Sequence, residues 1–157
     1  MRLSDLIHAE SVIPELSATD RNGVIRELIQ SLAATGAIDS ANVETIVRAT
    51  IARENQGSTG FGKGVAVPHV KHACLTKMTA TIGRSSHGVD FAALDRAPVY
   101  TILILLSPAD APEEHLAAME KIFRYLQRDN FRRFLRQADT CEAMMELIAE
   151  ADDLQDE

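Results

Sequence analysis

The chain has 157 residues, 46% of them apolar and 25% charged, with a formal net charge of −7. That size and balance predict one globular domain with a real core, and the acidity argues against nucleic-acid partners. No apolar run reaches the roughly 18 residues of a membrane span, and MRLSDLIHAE carries acids where a secretory leader would be apolar, so the chain is expected in the cytoplasm, without membrane insertion.

In chain order, Val24, Ile25, Leu28, Ile29 and Leu32 recur at helical spacing between Asp20, an N-cap residue, and Gly36, a stop. A second helix is predicted from Asp39 or Ser40, with Val43, Ile46, Val47 and Thr50 on one face, running out at Glu54 to Gln56. Residues 57–64, GSTGFGKG, hold four glycines in eight positions and read as a loop. Val65-Ala66-Val67 leads into Pro68 and reads as a short strand. Residues 79–83 and 99–106 read as strands, and the second, VYTILILL, is apolar on both faces and so central in a covered sheet.

Pro108 and Pro112 then introduce a long helix whose inward face is assigned Leu116, Met119, Ile122, Phe123 and Leu126. Two further helices are expected around 131–135 and 141–148. Spacing assigns Phe131 and Phe134 to the core and Arg132, Arg133 and Arg136 to a solvated face, with Met144 and Met145 as core filler. Residues 1–152 therefore read as one α/β domain, a central mixed sheet flanked by helices, with 153–157 a frayed tail.

Residues 57–63 fit the G-x-x-x-x-G-K spacing of a nucleotide-binding P-loop, but the fit fails. Gly64 stands where a Ser or Thr would hold magnesium, and a helix precedes the loop where a strand should. Residues able to handle a phosphoryl group also stand around His69. Phosphoryl transfer asks for a nucleophile available at neutral pH, which imidazole is, and for donors around three charged oxygens. The loop offers backbone N–H groups and the hydroxyls of Ser58 and Thr59. Lys71 leaves an extended strand on the same face as His69, and Arg53 sits in the last turn before the loop. His115, in the first turn of its helix, points inward, where the helix N-terminus disfavours a protonated ring.

The run from Glu54 through Gly57-Ser58-Thr59-Gly60-Phe61-Gly62-Lys63-Gly64-Val65-Ala66-Val67-Pro68-His69, with the later His115-Leu116, resembles the mannitol/fructose and nitrogen-regulatory enzyme IIA family of the bacterial phosphotransferase system. The resemblance implies that family's α/β fold. It also implies a phosphohistidine at Nε2 of His69, with His115 facing it. The implied donor is an HPr-like phosphocarrier protein, and a IIB component or a regulatory target would stand downstream. No cofactor or metal is implied. Val70 departs from the small residue that usually follows the family's histidine, which raises a second reading: a regulatory binding module with the same fold that transfers nothing.

A metal site built from His69, His72 and Cys74, with His87 and His115 recruited, is disfavoured. On an extended segment His69 and His72 point to opposite faces, and His72 with Cys74 makes only two ligands. Cys74 and Cys141 show no redox spacing either.

Overall fold

The computed structural model describes residues 1–156, with side chains through Leu154. Its first half follows local signals. After a short helix α1 (Leu3–Leu6), α2 (Arg21–Ala34) begins where the Asp20 side chain accepts from the Gly23 N–H at 3.0 Å. It ends before Gly36, whose φ of 80° lies in the left-handed region that stops helices. A single 3-10 turn then leads into α3 (Val43–Gln56), which buries Ile46, Val47, Thr50 and Glu54.

The glycine-rich segment is not all loop. β1 (Gly60–Gly62) pairs antiparallel with β2 (Val65–Ala66) across Lys63 and Gly64, whose φ values of 61° and 78° suit a tight two-residue hairpin turn. Glycine density signals a break in regular structure, but here it serves the hairpin. β3 (His69–His72) follows directly, then β4 (Thr79–Val89) and β5 (Val99–Pro108).

β5 is the central strand, as its apolar run predicts. β2 and β3 take successive stretches of one edge in parallel, with Val65 opposite Thr101 and His69 opposite Leu105, while β4 runs antiparallel along the other. The sheet is thus mixed, and both its faces are covered. Ile102, Ile104 and Leu106 pack on α2 and α3. Leu103 and Leu105 face the other way, into a core shared with α1, α4 (Pro112–Leu126), α5 (Asp129–Gln137) and α6 (Cys141–Asp156). Alternation along one strand therefore fills two cores.

Three side-chain assignments need correction. Leu116 is 60% exposed, and its expected core place is taken by Ala118 and Tyr125, both fully buried. Phe134 is 45% exposed while Phe131 is buried, and Arg132 is nearly enclosed, its guanidinium donating to the Leu126 carbonyl at 2.7 Å. α6 extends to Asp156, and Asp153 pairs with Arg2 at 2.6 Å; Glu157 lies outside the described residues. Among the described residues no helix is long and apolar enough to cross a membrane.

Candidate functional site

A helix, α3, enters the glycine segment and a hairpin leaves it, the opposite of a P-loop's order. The joint is held by Glu54, which is 2% exposed. Its two carboxyl oxygens accept from the Thr59 backbone N–H and from the Thr59 hydroxyl, both at 2.7 Å. The Ser58 hydroxyl donates to the Phe91 carbonyl at 2.6 Å and accepts from the Gly60 N–H at 3.0 Å. Both hydroxyl protons expected to serve a ligand are therefore spent inside the protein, on Phe91 and Glu54.

An open depression of about 640 Å³ lies between this loop, β3 and α4. Arg53, Ser58, Thr59, His69, Lys71 and His115 all line it, with Val70 and an apolar wall of Phe61, Leu116, Met119 and Phe123. All six residues singled out in the sequence thus converge on one site, although they come from four separate elements. Sequence reasoning misses the apolar wall, because Phe61 falls in a segment that reads as loop and Leu116 in a stripe that reads as core. Val70 is half-buried and packs against the α2–α3 core.

His69 ends the interruption between β2 and β3. Its Nδ1 lies 2.8 Å from the Val67 carbonyl, which can only accept, so Nδ1 carries the hydrogen and Nε2 keeps a free lone pair. Burial holds its pKa below the ordinary histidine value; the Arg53 and Lys71 charges push the same way, against the Val67 hydrogen bond and Glu54. The His115 ring lies 5.6 Å from that of His69, centroid to centroid, tilted by 44°. His115 is 7% exposed, and burial, then His69 and Lys71, press its pKa down to about 4. Its Nδ1 lies 2.6 Å from the Ser107 hydroxyl, a residue that sequence reasoning passed over although it is polar at the end of an apolar strand.

At neutral pH the site therefore holds two neutral imidazoles with two cationic side chains beside them. Arg53 also donates to the Gly57 carbonyl at 3.1 Å, which steadies it at the mouth of the loop. The arrangement offers one unprotonated ring nitrogen to an electrophile and positive charge to anionic oxygens. His72 accepts from the Cys74 N–H at 3.0 Å, and among the described residues no group of three or more His, Cys, Asp or Glu could hold a metal.

Residues 5–151 match the family model described as phosphoenolpyruvate-dependent sugar phosphotransferase system, EIIA 2. A nitrogen regulatory protein of Bradyrhizobium diazoefficiens is 30% identical over 150 residues, with 95% of each chain covered. The fructose-specific EIIABC component of Bacillus subtilis is 28% identical over 97% of this chain, which spans only 24% of that longer protein. The crystal structure of the nitrogen regulatory protein IIA-Ntr from Neisseria meningitidis superposes with a TM-score of 0.83 at 27% identity, covering 93% of this chain and 98% of that one.

Proposed function

Because the chain belongs to the EIIA 2 family of the phosphoenolpyruvate-dependent sugar phosphotransferase system, we propose that it is a phosphocarrier whose His69 accepts a phosphoryl group from an HPr-like phosphohistidine protein. The observation that carries this reading is the tie between His69 Nδ1 and the Val67 carbonyl, which leaves Nε2 as an unprotonated nucleophile in an open depression.

In the step, the Nε2 lone pair bonds to phosphorus as the donor's P–N bond breaks, and the bonding electrons return to the donor's ring. His69 keeps its Nδ1 hydrogen throughout, so no proton need leave it. Charge spread over the three transferring oxygens meets Arg53, Lys71 and His115. Ser58 and Thr59 act at one remove, by holding the loop with hydroxyls already engaged. No metal or organic cofactor enters, since the donor brings an activated bond. Leu116, exposed beside the nucleophile, suits a small and transient contact with the donor protein.

The relatives bear both fructose-specific and nitrogen regulatory names, and the phosphorylated protein would serve either a IIB-type acceptor or a regulatory target. The test is labelling. With phosphoenolpyruvate, enzyme I and a carrier, the protein should gain one acid-labile, base-stable phosphoryl group, and His69→Ala should abolish it. Label that survives in His69→Ala refutes the assignment; a folded wild type that never labels favours the non-transferring module.

A further inference from the structure

Ser107 is fully buried on β5, opposite Lys71 in the parallel pairing. It shares the face of Leu103 and Leu105, the face covered by α4, and there its hydroxyl meets His115 Nδ1 at 2.6 Å. No other side-chain hydrogen bond of Ser107 is found among the described residues. Neutral imidazole carries one hydrogen, so the pair has two arrangements. If Nδ1 donated, the hydroxyl proton would be left in an apolar core without an acceptor, a costly state for a buried polar group. If the hydroxyl donates, both groups are satisfied and the ring hydrogen must sit on Nε2.

We propose that Ser107 is a positioning residue: its hydroxyl donates to His115 Nδ1 and fixes the ring as the Nε2–H tautomer, so that a donor faces the phosphoryl group carried by His69. The opposite tautomer would turn a lone pair toward the same oxygens and repel them. His69 and His115 thus have opposite tautomers for opposite tasks. A backbone carbonyl holds the hydrogen of His69 on Nδ1 and frees Nε2 to attack, while a hydroxyl holds that of His115 on Nε2 to receive charge.

The inference rests on the phosphocarrier reading, but its first test does not. Long-range proton–nitrogen NMR spectra of the intact 15N-labelled protein at pH 7 should show His115 with an unprotonated Nδ1 and a protonated Nε2. His69 should show the reverse. A wild-type His115 protonated on Nδ1 overturns the proposal, whether or not the protein transfers phosphate and without recourse to any variant. Ser107→Ala should lose the tautomer preference and accept phosphate roughly tenfold or more slowly, the scale of one hydrogen bond to a charged group. Ser107→Thr, which keeps the hydroxyl, should restore both. Ser107→Ala with the wild-type tautomer and the wild-type rate would equally overturn the role. Failure of the carrier reading appears elsewhere, as label persisting in His69→Ala or absent from folded wild type.

Discussion

His69 and His115 stand 5.6 Å apart, ring to ring, and burial is the largest influence holding each of them neutral. The consequence for stability has a definite sign. An unperturbed histidine titrates near 6.5, folded His115 only at about 4. Between those values the unfolded chain binds more protons than the folded one, so stability rises with pH across that window and levels off above it. His69, shifted in the same direction, adds to the slope. His115→Gln removes one contributor while keeping a polar group near Ser107. Its urea midpoint is therefore expected to fall less than that of wild type when the pH is lowered from 7 to 5. An unchanged difference between the two pH values would mean that burial of His115 is not felt by its proton. The same depression of pKa would favour the proposed transfer, because a protonated His69 has no lone pair to offer.

At the scale of elements, the site depends on one joint between α3 and the hairpin. Glu54 ends the buried face of the helix and grips Thr59 twice, once through the backbone and once through the hydroxyl. Thr59→Val keeps the shape and removes one of the two donors, leaving a carboxyl oxygen buried without its partner. Urea unfolding should show a loss of about 1–3 kcal/mol, and Thr59→Ser should recover most of it. A midpoint that does not move in Thr59→Val would show that the backbone contact alone holds the joint. Much of this architecture could be read from the chain. A cap and 3.6-residue spacing mark α2, spacing marks α3, and an uncharged run marks β5, because these signals are local and uninterrupted. The proton arrangement of the loop could not, since a hydroxyl in a Gly-Ser-Thr run looks free until the partners contributed by Phe91 and Glu54 are folded around it. Leu116 misled for a related reason: α4 buries Ala118 and Tyr125 next to the core, and a helical stripe gives the width of the apolar face more reliably than its edges. His115 was legible from its place in the first turn, but Ser107 acquires meaning only when β5 and α4 pack together.

Across the whole molecule, the two ends of the chain meet at a buried carboxylate, beside the Arg2–Asp153 pair. Asp152, fully buried near the end of α6, accepts from the backbone N–H groups of Leu3 at 2.9 Å and Ser4 at 3.0 Å, and from the Tyr125 hydroxyl at 2.6 Å. It thereby caps the short α1, which is too brief to hold itself, against α4 and α6. Burial by itself would raise the pKa of Asp152, but the Tyr125 hydroxyl and the two backbone donors outweigh it and lower it. The stabilisation from this group is thus present above the ordinary aspartate value and is lost as pH falls through the lower folded one. Asp152→Ala would leave the buried Leu3 N–H and Tyr125 hydroxyl, and the part-buried Ser4 N–H, without their acceptor, at a cost of about 2–4 kcal/mol. The expected outcome is a lower urea midpoint, together with faster amide hydrogen exchange at Leu3 and Ser4. Exchange in α2 and α3, which pack on the opposite face of the sheet, should change only as far as global stability does. If the Leu3 and Ser4 amides exchange as slowly in Asp152→Ala as in wild type, the carboxylate is not what holds α1, and the apolar contacts of Leu3 and Ile7 in the shared core must be holding it instead.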